Sequence, residues 1–164
     1  MTDDTAPEGA ELTHQRADGA VHMVDVSGKA VTKRRALAAA SVITRPDVIS
    51  LISEGRLPKG EALATARVAG IMGAKRTPEL IPLCHPLPIS GVEVELEAAG
   101  DRVEIRAVVK TVGVTGVEME ALTAVSIAAL TVYDMIKAVD KAAVITDIHV
   151  LEKDGGKSGA WRAL

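Results

Sequence analysis

From Thr115 to Ala138 the chain reads TGVEMEALTAVSIAALTVYDMIKA. Val117, Ala121, Ala124, Ala128, Val132, Met135 and Val139 recur at steps of three and four, and Leu122, Val125, Ala129, Tyr133 and Ile136 do the same on a neighbouring face. Apolar residues thus cover most of the circumference, so this helix is expected to be buried nearly all round and the rest of the chain has to wrap it. Its charges are few: Glu118, Glu120, Asp134 and Lys137.

The wrapping material is legible as strands. Val92, Val94 and Leu96 alternate with Glu93, Glu95 and Glu97, a turn follows at Ala99-Gly100-Asp101, and Val103, Ile105, Ala107 and Val109 then alternate with polar partners. This predicts a two-stranded hairpin with one wet face. A last strand is expected over Ala143 to Leu151. Earlier, Ala36, Ala38, Ala40 and Val42 alternate with Arg35, Leu37, Ala39 and Ser41, a pattern open to a strand or an Ala-rich helix. Arg45-Pro46-Asp47 breaks it. A short helix is expected from Asp47 to Glu54 and a long one from Lys59 to Arg76. The long one contains Gly70 and Gly73, each costing about 1 kcal/mol against Ala unless another backbone approaches closely there. Thr77-Pro78-Glu79 has the form of a helix start with Thr as N-cap. If the first alternating stretch is a strand, the order is β-α-β-β-α-β, an α+β ferredoxin-like split βαβ sandwich with helices on one face of an antiparallel sheet.

Aromatic residues make up 1% of the chain and Phe is absent, so the core must be built from Ala, Val, Ile, Leu and Met. Small side chains bury little area each, which favours an oligomer. One cysteine excludes an internal disulfide, and a net charge of −3 gives no support for nucleic-acid binding. With no apolar run of about 20 residues and an acidic start, MTDDTAPEGAE, a soluble cytoplasmic protein without membrane attachment is expected. The expected organisation is a flexible tail over 1–20, one domain over 21–152, and a flexible segment over 153–164 containing Lys153-Asp154-Gly155-Gly156-Lys157-Ser158-Gly159.

Three groups of residues can carry chemistry. Asp134 and Lys137 share a helix face and, partly removed from water, can act as acid and base; a solvated ion pair is the plainer reading. Lys59 precedes Gly60 at a helix start, where main-chain N–H groups favour anions. With Lys29, Lys33, Arg34, Arg35, Arg67, Lys75 and Arg76 it can hold a phosphorylated ligand, although each cation taken singly reads as surface charge. The third group is IPLCHPLPI, residues 81–89. One adjacent Cys84-His85 pair lacks the ligand spacing of a metal site, and neighbours on an extended chain point apart, which disfavours a Cys/His nucleophile. The prolines instead hold His85 rigidly at the entry to a strand beginning near Ile89.

Taken together, HMVDVSGKA, KGEALATARVAGIMGAKRTPELIPLCHPLPI, TGVEMEALTAVSIAALTVYDMIKAVDK and GGKSG closely resemble the MoaC family of molybdenum cofactor biosynthesis, from His22 to Gly159. The resemblance implies a cyclic pyranopterin monophosphate synthase activity, a lyase that converts 3′,8-cyclo-7,8-dihydro-GTP into cyclic pyranopterin monophosphate and releases pyrophosphate. It also implies a strand over the first alternating stretch, and a homohexamer, a trimer of dimers, with sites at dimer interfaces. By motif it makes Asp134, Lys59 and Lys137 catalytic. It makes Leu83, Cys84, His85, Met119 and Glu120 substrate-binding, with Glu118, Lys29 and Arg34 as further pocket positions. No cofactor is required by these residues, and Mg²⁺ is expected only as a companion of the triphosphate. After KSG the chain departs from the family pattern with Ala160-Trp161-Arg162. An inactive, ligand-sensing paralogue and another purine or pterin cyclohydrolase are the alternative readings.

Overall fold

The computed structural model describes residues 19–157 and 159–163; the expected tail over 1–20 lies almost wholly outside the described residues. The long strands are β1 (Thr32–Ile43), β2 (Ile89–Ala99), β3 (Arg102–Gly113) and β4 (Val144–Asp154), followed by a short β5 (Trp161–Arg162). Helices α1 (Pro46–Ser53), α2 (Ala62–Lys75) and α3 (Thr77–Leu80) lie between β1 and β2, and α4 (Glu118–Ile136) lies between β3 and β4. The sheet runs β2-β3-β1-β4-β5, antiparallel throughout. This is the expected ferredoxin-like order, with α1, α3 and β5 added to it.

The alternating stretch is the central strand. Ala36, Ala38, Ala40 and Val42 pair in register with Val109, Ala107, Ile105 and Val103 of β3, and all eight are fully buried. Side chains alternate faces along a strand, so this set forms the floor on which α4 packs, with α2 beside α4 and over β2. The opposite hairpin face carries Glu93, Glu95, Glu97, Glu104 and Arg106, all exposed, as the alternation predicts. β1 meets β4 on its other edge, with register shifts between Leu37 and Ala38 and between Ala39 and Ser41.

The glycines of α2 have their reason in α4. A Cβ on Gly70 would stand 2.9 Å from the Ala124 carbonyl oxygen, and one on Gly73 would stand 2.8 Å from Ile127 Cγ1. The two helices pack too closely for either methyl. Thr77, expected as an N-cap, is instead the first residue of α3; it is fully buried and its hydroxyl donates to the Ala74 carbonyl at 3.0 Å.

By length and composition α4 could cross a membrane, but it is the central helix of this fold, with Val117, Ala121, Ala124, Val125, Ala128, Ala129, Val132 and Ile136 buried to completion. The expectation of burial on all sides meets one exception. Met119 and Leu130 are exposed and Leu122 only half-buried, leaving an apolar stripe along one side of α4. On α2, Val68 and Met72 are exposed as well. Lys153 and Asp154, where the sequence reading starts a flexible segment, are the last residues of β4, and Trp161 and Arg162 pair with Lys153 and Glu152.

Candidate active site

The two ends of α4 carry the two groups of candidate residues. At its N-terminal end, a cavity of about 350 Å³ is lined by Lys29, Leu83, Cys84, His85, Glu118, Met119 and Glu120, together with Val24, Val26, Leu87, Thr115 and Gly116. Seven of the eight substrate-binding candidates therefore meet in one place, drawn from three separate segments. The loop that brings Leu83, Cys84 and His85 is fixed at both ends: the Cys84 amide donates to the Ile81 carbonyl at 3.1 Å, and the Thr111 hydroxyl to the Pro88 carbonyl at 2.7 Å. β2 starts at Ile89, so the proline-rich stretch does deliver His85 at a strand entry.

The His85 Nε2 lies 2.8 Å from the Val24 carbonyl. A carbonyl only accepts, so Nε2 carries the proton there, and the ring is tied to the segment before β1 rather than to Cys84. Cys84 lines the same cavity, although adjacent side chains of an extended segment were expected to point apart. Its thiol is pushed above the ordinary range by burial, with the charge of Glu120 adding to the effect, which keeps it protonated and a poor nucleophile.

Glu120 is only 2% exposed and its Oε2 has no hydrogen-bond partner. Burial raises its pKa, and the neighbouring Glu118 charge raises it further. A carboxyl group in that state is suited to hold or give a proton, or to meet an N–H donor supplied by a ligand. Glu118 differs: its carboxylate is paired with Lys153 Nζ at 3.1 Å.

Arg34, the eighth candidate, stands beside this cavity. Its Nε and Nη2 donate to the carbonyls of Gly113 and Val114, both at 3.0 Å. Two of its donors thus fasten the loop leading into α4. A second cavity of about 770 Å³ joins Arg34 to Lys29, Thr32, Val114, Thr115, Gly156 and Lys157. Lys29 and Thr115 line both spaces, so the two are neighbours. Gly156, at φ 77°, lies over the guanidinium, where any side chain would collide with Arg34 Nη1. Gly156 of GGKSG is needed for this approach and Gly155 for a similar one to the Lys33 carbonyl, and Lys157 is a cation that the spacing of residues alone did not single out.

At the C-terminal end of α4, Asp134 Oδ2 accepts from Lys59 Nζ at 2.6 Å and Oδ1 pairs with Lys137 Nζ at 2.6 Å. Lys59 also donates to the Asp134 carbonyl at 2.8 Å. Hydrogen bonds from Lys137 and then Lys59 pull the Asp134 pKa down to about 2, and the same carboxylate holds the Lys137 ammonium above its usual range. Asp134 is therefore a fixed anion that keeps two lysines gathered, and a weak proton acceptor in this state. The helix end itself is pinned by Asp140, 5% exposed, which accepts from the Thr44 hydroxyl at 2.7 Å and the Ala142 amide at 3.0 Å.

The remaining cations are not brought in. Arg67 donates to the Val94 carbonyl at 3.0 Å, Arg35 pairs with Glu152 at 3.0 Å, and neither touches these cavities. Among the described residues no three His, Cys, Asp or Glu side chains are placed to hold a metal ion. Glu120 and Asp134 are fourteen positions apart on one helix, roughly 21 Å at 1.5 Å per residue, so the two half-sites are separated within one chain.

Comparison with known proteins gives a consistent result. A model of the MoaC family matches residues 23–156. A protein of Corynebacterium efficiens named cyclic pyranopterin monophosphate synthase is 65% identical over 152 residues, covering 93% of this chain and 98% of that protein. One of the same name from Streptomyces avermitilis is 64% identical over 155 residues, covering 94% and 91%. A Mycobacterium tuberculosis protein named cyclic pyranopterin monophosphate synthase 2 is 61% identical over 151 residues, covering 92% and 90%.

Proposed function

This chain belongs to the MoaC family, and from that membership we propose that it is a cyclic pyranopterin monophosphate synthase, a lyase of molybdenum cofactor biosynthesis that converts 3′,8-cyclo-7,8-dihydro-GTP into cyclic pyranopterin monophosphate and pyrophosphate. The observation that carries the reading is the convergence of Lys29, Leu83, Cys84, His85, Glu118, Met119 and Glu120 on one cavity, beside a second one lined by Arg34 and Lys157.

The reaction asks for two things. Forming the cyclic phosphate makes an O–P bond at the α-phosphorus and breaks its bond to the bridging oxygen, so the attacking hydroxyl loses a proton and pyrophosphate leaves with negative charge. Lys29, Arg34, Lys59, Lys137 and Lys157 are the cations suited to that charge. Rebuilding the pterin ring opens an aminal-like ring and recloses it, which needs groups that give and take protons. Lys59, Lys137 and Glu120 suit that work, while Asp134 orders the two lysines. Mg²⁺ would enter with the triphosphate, and a GTP-derived substrate suits a cytoplasmic enzyme.

The working unit in this proposal is a homohexamer built as a trimer of dimers, with each site shared across a two-fold axis. Two features support it. The half-sites lie at opposite ends of α4, too far apart for one small ligand, and the uncovered stripe Met119, Leu122 and Leu130 runs between them. Packing that stripe against its copy brings one end of α4 near the other end of its partner's.

Pyrophosphate release on adding the cyclised GTP tests the function. Release with formation of the cyclic phosphate is expected. Binding without release would favour a ligand-sensing module, and release of formate or inorganic phosphate would favour a cyclohydrolase.

A further inference from the structure

Glu118 and Lys153 come from different elements, the first turn of α4 and the end of β4, and their charged groups meet at 3.1 Å with each side chain about two-thirds buried. Several ion pairs among the described residues differ: Lys110–Glu93, Lys137–Asp134 and Arg45–Asp47 all have both partners at least 48% exposed. Gly116 supplies a second, independent observation. A side chain there would collide with the Glu118 carboxylate, so Glu118 is folded back over Gly116, and a Cβ at that position would push the carboxylate out of its present place. Both features bear on a carboxylate that lines the cavity beside the buried Glu120.

We propose that Lys153 is a positioning residue for the candidate site: its ammonium draws the Glu118 carboxylate back over Gly116 and so fixes where that negative charge sits in the cavity wall. The consequence rests on the functional reading above, because the substrate is a polyanion. With Lys153 in place the charge of Glu118 is balanced and held aside. Without it an unpaired carboxylate is free to turn into the cavity, where it repels the triphosphate-bearing ligand. The effect belongs to binding, not to the chemical step.

The test is steady-state pyrophosphate release by the full chain in four forms: parent, Lys153→Met, Glu118→Gln and the double variant. Lys153→Met is expected to raise KM roughly ten-fold, the low end for a hydrogen-bonded charged pair that is only partly buried, with kcat little changed. In the Glu118→Gln background the same substitution should add nothing to KM, because no charge is left to release. Lys153→Arg should restore KM, and Gly116→Ala should raise it with Lys153 intact. An unchanged KM in Lys153→Met overturns the proposal, and so does a double variant whose loss is the product of the single losses. A Lys153 that merely held β4 in place would give that additive result. Calorimetric binding of GTP to the same variants separates this inference from the functional one. The non-additive pattern in binding with no pyrophosphate release upholds the role of Lys153 and overturns the synthase reading, whereas release with additive losses does the reverse.

Discussion

At the scale of single residues, two of the carboxylates assigned to the site, Asp134 and Glu120, are perturbed in opposite directions. Asp134, held by Lys137 and Lys59, lies near 2, well below the usual carboxylate range, so its pairing stabilises the native state above about pH 4 and is lost as pH falls toward 2. The rate profile is therefore expected to show no inflection from Asp134 above about pH 4, while Asp134→Asn or Lys59→Ala abolishes product formation and leaves part of the substrate binding, measured by turnover and calorimetry. Glu120 is raised by burial, so ionising it opposes folding, and that cost is absent below the ordinary carboxylate range and complete above the raised pKa. Chemical denaturation of Glu120→Gln against the parent should shift in the variant's favour as pH rises through that window; a difference independent of pH would contradict the raised pKa. Cys84→Ser is expected to keep turnover within a few-fold, because a thiol held protonated by burial serves as a small apolar filler. Loss by orders of magnitude in a folded variant would reverse that reading. The motif resemblance pointed to Cys84, Glu120 and Asp134, but nothing in a linear sequence shows that one carboxylate keeps a buried oxygen without a partner and the other is doubly paired. Those states depend on Lys59 and on loop packing far away along the chain.

At the scale of elements, period decides what could be read. β2 and β3 were legible because alternation sets each side chain's face by its neighbours two positions away, and the buried and exposed rows follow it; β1 alternates too, but its alanines suit a helix equally, so the strand there was implied only by the family resemblance. α4 was legible by its three- and four-residue steps. Its boundaries shrank to Glu118–Ile136: Arg34 fastens the loop before it, and after it the Lys137 and Asp140 amides still bond to the Tyr133 and Ile136 carbonyls while Asp140 ties the chain to Thr44. β5 was not legible, because two residues carry no period and its pairing depends on β4 being present. Gly70 and Gly73 were expected to mark a close approach, and the partner proved to be α4. Gly70→Ala gains about 1 kcal/mol of helix propensity but drives a methyl against the Ala124 carbonyl and Ala128, with overpacking costing roughly 1–3 kcal/mol. The clash should win, since a backbone oxygen cannot rotate away. A lower urea midpoint is expected for Gly70→Ala and for Gly73→Ala, and an unchanged or higher one would show that α2 and α4 can move apart at little cost.

On the scale of the whole molecule, the half-sites at the two ends of α4 predict complementation. Mixing Glu120→Ala with Asp134→Ala subunits, each inactive alone, should restore part of the activity, because one of the two sites in a mixed dimer carries neither substitution. Verified subunit exchange without recovery would rule the shared site out. The order β2-β3-β1-β4-β5 has a separate consequence, for the birth of the protein. β4 is made last among the long strands yet pairs with β1, made first. While the chain is being synthesised, β1 has one partner and one bare edge, and α4 has only part of its floor. Pairing across such a sequence separation is slow and leaves an open strand exposed to other nascent chains. Truncation within Val144–Asp154 should therefore yield aggregates instead of a smaller folded domain, and Lys153 reaches Glu118 only once that closing strand is in place.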